Sequence, residues 1–151
     1  MYHINEMKKI LILNGPNLNL LGRREPEVYG DATLDDINAA LIERFPDVEF
    51  SFLQSNHEGA LIDAVQESAS WGEHSVDGVV LNAGGYSHTS VALGDAIRAV
   101  DVPVIEVHIS NVAAREDFRH HSMLSAACRG TIQGLGTDVY SLAVRALIGR
   151  C

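Results

Sequence analysis

The sequence predicts an α/β protein, a three-layer sandwich in which a five-stranded parallel sheet carries helices on both faces. Three observations point there. Short continuous apolar runs, such as Ile10–Leu13 and Val79–Leu81, have the character of strands buried on both sides. Segments with apolar residues at helical spacing alternate with those runs along the whole chain. The length, 151 residues, suits five β-α units in one domain spanning 1–151.

The first strand is Ile10-Leu11-Ile12-Leu13, followed by a Gly-, Pro- and Asn-rich loop from Asn14 to Gly30. Thr33 reads as an N-cap, and Leu34, Ile37, Leu41 and Phe45 recur at helical spacing up to Pro46. Val48, Phe50 and Phe52 alternate with Glu49 and Ser51 as a second strand. Ser55 to Glu58 has the form of a capping box, with Leu61, Ile62 and Val65 continuing it as a helix. Val79-Val80-Leu81 is a third strand, ending at Asn82-Ala83-Gly84-Gly85. Val91 to Val100 reads as a helix stopped before Pro103, and Val104–His108 as a fourth strand. Thr131-Ile132 is a short fifth strand, and Thr137 reads as the cap of a last helix carrying Val139, Leu142, Ala143, Ala146 and Leu147. The flavodoxin-like arrangement is the natural solution for five such units.

Twenty acidic residues oppose eleven Lys and Arg, for a net charge of −9. That balance argues against a nucleic-acid partner, which clustered cations would serve. Without an apolar run of about 18–20 residues, a membrane span is not expected either. Residues 1–7 read as a polar extension without the apolar core of a secretory signal, and Met7 is itself a plausible start. Two widely separated cysteines, Cys128 and Cys151, read as reduced thiols of a cytoplasmic protein.

In open α/β sheets ligands bind beyond the carboxyl ends of the strands, which directs attention to three loops. The first, Asn14 to Gly30, is long for a βα connection, and Gly22 and Gly30 bracket Arg23, Arg24 and Tyr29 as a hinged flap would. The second carries the Gly84-Gly85 pair and His88, suited to close backbone approach to a ligand, although tight turns explain most such pairs. In the third, Glu106 and His108 point to the same face of a strand, where a carboxylate can fix an imidazole's tautomer. A hydrogen-bonded core histidine is the commoner use of a lone His, and Arg115 and Arg119 taken alone suit a solvated basic face. Together the loops say more. Arg23, Arg24, Arg115 and Arg119 are four of eleven cations, and with Tyr29, His88 and His108 they suggest an acid–base site for an anionic substrate. Glu106-x-His108 and His120-His121 offer no third ligand at helpful spacing, so no metal is expected. P-loop, dinucleotide and nucleophile-elbow motifs are absent.

Asn14 through Arg24 with Tyr29-Gly30, Asn82-Ala83-Gly84-Gly85 through Ser90, Glu106 through Asn111, and Gly134-Leu135-Gly136 resemble type II 3-dehydroquinate dehydratase, in order and across Lys8 to about Leu147. The resemblance implies a cofactor-free dehydration of 3-dehydroquinate to 3-dehydroshikimate by anti elimination through an enolate. It also implies a homo-oligomer, a dodecamer built as a tetramer of trimers. By the same resemblance Tyr29 is the general base at C2, flanked by Arg24 and Arg115. A free tyrosine has a pKa of about 10, and neighbouring cations favour its phenolate. Asn17 assists the enolate through a bound water, and His108 is the general acid, oriented by Glu106. Asn82 positions the same part of the substrate. The Ile109 and Ser110 amides take the substrate carboxylate, His88 and Arg119 the ring hydroxyls, and Asp95 reaches a neighbouring subunit's site. His57, His74, His120 and His121 read as surface or helix-end histidines, and Cys128 has no assigned role. The competing reading is a non-catalytic flavodoxin-like module for a flavin or another small anion.

Overall fold

The computed structural model of the chain describes residues 6–149. Most of the expected extension 1–7 lies outside them, as does Cys151. Five strands form one parallel sheet: β1 (Lys8–Asn14), β2 (Val48–Gln54), β3 (Gly78–Asn82), β4 (Val104–His108) and β5 (Gly130–Gln133). Their order is β2-β1-β3-β4-β5, the flavodoxin-like order. The helices are α1 (Pro26–Tyr29), α2 (Leu34–Arg44), α3 (Glu58–Glu67), α4 (Val91–Ala99) and α5 (Asp138–Ile148).

Strand alternation sorts the core into two layers. Ile10 and Ile12 of β1, with Ile105 and Val107 of β4, face α2 and α5 and meet Ile37, Leu41, Val139 and Val144. Leu11, Leu13, Val79, Leu81 and Val104 point the other way and meet Leu61, Val65, Leu93 and Ile97 of α3 and α4. Each such side chain contributes about 1.5–3 kcal/mol on burial. The same parity sends Glu106 and His108 of β4 toward the α3–α4 side, as their spacing in the sequence requires.

The cap at Thr33 forms a full capping box: its hydroxyl accepts from the Asp36 amide at 3.2 Å, and Asp36 accepts from the Thr33 amide at 2.9 Å. Hydrogen bonding from the Thr33 amide, and then from its side chain, holds the Asp36 carboxyl below its ordinary value. Two other helix starts differ from expectation. The Ser55–Glu58 capping box does not form; His57 takes the N-cap position, and the Ser55 hydroxyl accepts from the His57 amide inside the loop. Thr137 makes no capping bond, because its backbone is already helical (φ −69°, ψ −14°) and its side chain cannot fold back onto the first turn. On α5, Leu142 is exposed at 38%, and Tyr140 occupies the buried face instead. The 14–30 loop is also more ordered than expected, with a 3-10 turn at Leu18–Leu20 and the short α1.

The strand order reverses at β1 and β3, so their following connections diverge and open a crevice at the carboxyl edge. The floor of that crevice is tight. The Gly15 amide donates to the Asn82 carbonyl at 2.7 Å, and a Cβ on Gly15 would lie 2.5 Å from the Ala83 carbonyl oxygen, so only glycine fits there.

Candidate active site

A cavity of about 120 Å³ occupies this crevice. The loop after β1 supplies Asn17, Arg24 and Tyr29, the loop after β3 supplies Asn82 and His88, and the end of β4 with its following loop supplies His108, Ile109, Ser110, Arg115 and Arg119. Ten of the twelve residues expected at the site therefore line a single cavity. A larger depression, about 480 Å³, lies between α2 and the start of α5, away from these groups.

Tyr29 is the last residue of α1, a single turn held by bonds from the Tyr29 amide to the Glu25 carbonyl and from the Gly30 amide to the Pro26 carbonyl. Gly22 and Gly30, at either end of this flap, have φ of 88° and 78°, a region glycine enters freely. Arg115 Nη1 donates to the Tyr29 hydroxyl at 2.9 Å, and Arg24 Nη2 reaches it at 3.5 Å. The same guanidinium carbons lie 5.5 Å and 4.9 Å from the ring centre. Two guanidinium groups thus converge on one phenol oxygen, and Arg24 Nη2 also pairs with Glu25 Oε2 at 3.0 Å. Arg115 also donates to Ser110 Oγ at 3.4 Å, tying the flap to the end of β4. Asn17 sits in the left-handed region at φ 68°, one of two non-glycine residues there among the described residues. Asparagine tolerates that conformation, and the Asn56 side chain secures it by accepting from the Asn17 amide at 3.0 Å.

His108 Nε2 donates to Glu106 Oε2 at 2.5 Å. That bond leaves Nδ1 as the ring nitrogen available to a ligand. Glu106 is fully buried. Burial alone would raise its pKa, but hydrogen bonds from His108, Ser125 and Ser122, with the charge of His108, hold the carboxyl below its ordinary range. The carboxylate therefore remains ionised beneath the His108 ring. The His88 ring lies parallel to His108 at 6.2 Å, with Nδ1 donating to the His121 carbonyl at 2.8 Å.

Asn82 is held by a chain of bonds that sequence reasoning missed. Its Nδ2 donates to the Tyr140 hydroxyl at 3.0 Å, its Oδ1 accepts from the Gly84 amide at 3.2 Å, and Tyr140 donates onward to Asn14 Oδ1 at 2.6 Å. Burial pushes the Tyr140 hydroxyl well above its ordinary value, so it stays a neutral donor. The available signal was a tyrosine one place from the buried register of an amphipathic helix, since a buried hydroxyl needs a partner.

Two expected residues do not line the cavity. Glu106 lies beneath His108, consistent with orienting it. Asp95 sits on α4, 70% exposed, paired with Arg98 at 3.6 Å. Arg23 is exposed and outside the cavity. Arg115 and Arg119 do not share a helix face, because the segment breaks into two 3-10 turns, yet both side chains reach the cavity. Cys128 is partly buried; burial and then the Glu106 carboxylate push its thiol up to about 12, which favours the protonated form. Among the described residues, no group of three or more His, Cys, Asp or Glu is placed to hold a metal, and no helix is long and apolar enough to cross a membrane.

A flavodoxin-like sheet with a small cavity at its carboxyl edge, lined by arginines and a carboxylate-backed histidine, is an α/β architecture suited to holding a small anion. Similarity to known proteins narrows this. The family model for Dehydroquinase class II matches residues 8–148. The 3-dehydroquinate dehydratase of an Exiguobacterium species is 59% identical over 141 residues, covering 93% of this chain and 94% of that one. That of Chlorobaculum tepidum is 57% identical over 141 residues with the same coverage. The crystal structure of the type II dehydroquinase from Butyrivibrio crossotus superposes with a TM-score of 0.88 at 44% identity, covering 93% of this chain and 97% of that one. The chain belongs to the class II dehydroquinase family.

Proposed function

We propose that this type II 3-dehydroquinate dehydratase converts 3-dehydroquinate to 3-dehydroshikimate by base–acid elimination through an enolate, with Tyr29 as base and His108 as acid. The observation that carries the reading is the Tyr29 hydroxyl, within hydrogen-bond reach of Arg115 and Arg24, in a cavity that His108 also lines. The phenolate oxygen takes the proton from C2, and the electron pair passes into the enolate of the neighbouring ketone. Asn17, through a bound water, stabilises the enolate oxygen. His108, charged and backed by Glu106, protonates the departing C1 hydroxyl, which leaves as water as the ring double bond forms. Asn82 orients this end of the substrate. The Ile109 and Ser110 amides receive the carboxylate, and His88 and Arg119 receive the ring hydroxyls. Positioned acid and base groups contribute about 10²–10⁴ each.

The reaction needs no covalent lysine. Lys8 and Lys9 open β1, at the opposite edge of the sheet and about 20 Å from the cavity for a strand of this length. The whole chain then acts as one catalytic domain, in the cytoplasm, in aromatic biosynthesis or quinate breakdown, which share this step. Assembly as a dodecamer places Asp95 at a neighbouring subunit's site; its exposure supports that reading. The test is the absorbance of the conjugated enone on adding 3-dehydroquinate to metal- and nucleotide-free protein. No rise in absorbance would refute the reading, as would a lysine adduct trapped by borohydride in the presence of substrate.

A further inference from the structure

We propose that Ser122 and Ser125, in the turn between Arg119 and β5, are positioning residues for the dehydration: they hold Glu106 as the oriented carboxylate on which the acid function of His108 depends. The proposal rests on the assignment of His108 as the general acid. Glu106 is buried with no exposed surface, and the strand positions beside it, Leu81 and Thr131, carry no charge. The titratable groups facing it are His108 on its own strand and the Cys128 thiol on the turn. His88, Arg119, His120 and His121 line a depression on the same side, which Glu106 and His108 also border. A buried carboxylate with one imidazole partner would be costly to keep ionised, because burial favours its neutral form.

Two hydroxyls change that balance. Ser122 Oγ donates to the carboxylate, lying 3.0 Å from Oε1 and 2.9 Å from Oε2, and Ser125 Oγ donates to Oε1 at 2.8 Å. With His108 on Oε2, both carboxylate oxygens are engaged and the group cannot rotate without losing a bond. The turn is itself fixed. Ser122 Oγ accepts from the Leu124 and Ser125 amides at 3.1 Å and 3.2 Å, and Leu124 is fully buried. The Met123 amide donates to the Ser87 carbonyl at 2.7 Å, and the His121 carbonyl accepts from His88. One short segment therefore sets both the carboxylate beneath His108 and the histidine stacked beside it. Neither serine lines the cavity that holds Tyr29, so each acts through Glu106.

Ser125→Ala is the cleanest probe, because the Ser125 hydroxyl takes no part in capping the turn. Removing its bond favours the protonated carboxyl, so His108 loses its counter-charge at a higher pH than before. The acid limb of the kcat profile moves up by about one pH unit, since a hydrogen bond to a charged group is worth about that shift. At the pH optimum kcat falls while KM changes little. Ser122→Ala/Ser125→Ala moves the limb further, and Ser125→Thr, which keeps the hydroxyl, restores the original profile. An unshifted acid limb in folded Ser125→Ala and double variants, or a uniform loss of kcat at every pH not recovered by Ser125→Thr, overturns the proposal. His108→Asn separates the two questions. Full activity in that variant refutes the acid assignment, whereas an inactive His108→Asn with an unshifted Ser125→Ala profile refutes the serine role alone.

Discussion

Replacing Tyr140 by Phe removes one oxygen from beneath the site and leaves the packing of α5 otherwise intact. The ring is fully buried, and its hydroxyl joins Asn14 at 2.6 Å to Asn82 at 3.0 Å. Without it, Asn14 Oδ1, in a residue 2% exposed, and one Asn82 N–H, in a residue 3% exposed, lose their partners. Each buried polar group left unpaired costs about 1–3 kcal/mol, so the pair amounts to about 2–6 kcal/mol. For a chain of this length that lowers the thermal midpoint by on the order of 10 °C. Turnover falls as well, because Asn82 is then free to turn its amide away from the cavity, and small misplacements of an orienting group cost tenfold or more. Circular dichroism melting at fixed chain concentration reads the first effect, and steady-state enone formation the second. A variant with an unchanged midpoint would show that the hydroxyl bridge contributes nothing; a lowered midpoint with unchanged kcat would show that it serves the core and not Asn82.

Tyr29→Phe is expected to keep the fold and substrate binding while reducing kcat by about 10²–10⁴, checked by melting, by calorimetric titration with substrate and by turnover. Arg115→Ala should cost more turnover than Arg24→Ala, because Arg115 makes the closer bond to the Tyr29 hydroxyl, 2.9 Å against 3.5 Å; the reverse order in kcat contradicts the geometry. Glu106 lies below its ordinary value of 4.5 in the folded chain, so its interactions add stability that is present above that pH and is lost as pH falls through the folded value. Melting of Glu106→Gln between neutral and acid pH should therefore show a shallower loss of stability on the acid side than the parent chain shows. Light scattering should give a mass that is a multiple of 16.4 kDa, and a species at that mass alone counts against the assembly.

Much of this architecture was legible in the residues, because strand burial and helix amphipathicity leave periodic marks. Ile10–Leu13 and Val79–Leu81 read as buried strands since both faces of a parallel sheet are covered, and Thr33 read as a helix start since the cap is local chemistry. Where neighbours decide, local pattern and structure part. Ser55 bonds one step too early in its loop, Thr137 already has helical dihedrals, and Leu142 yields the buried face of α5 to Tyr140. Each outcome depends on where the helix docks, which no local pattern encodes.

The site divides the same way. The sequence by itself determined which groups are available: a tyrosine and two arginines bracketed by glycines, and a glutamate and histidine two apart on a strand. It also determined that Glu106 and His108 share a face, because a strand repeats every two residues. The tertiary structure decided that Arg115 meets a tyrosine 86 residues away, that Tyr140 on the last helix bridges Asn14 and Asn82, and that two serines close over Glu106. Those contacts join segments remote in the chain, and they exist because the reversal of strand order at β1 and β3 brings separate loops to one edge of the sheet.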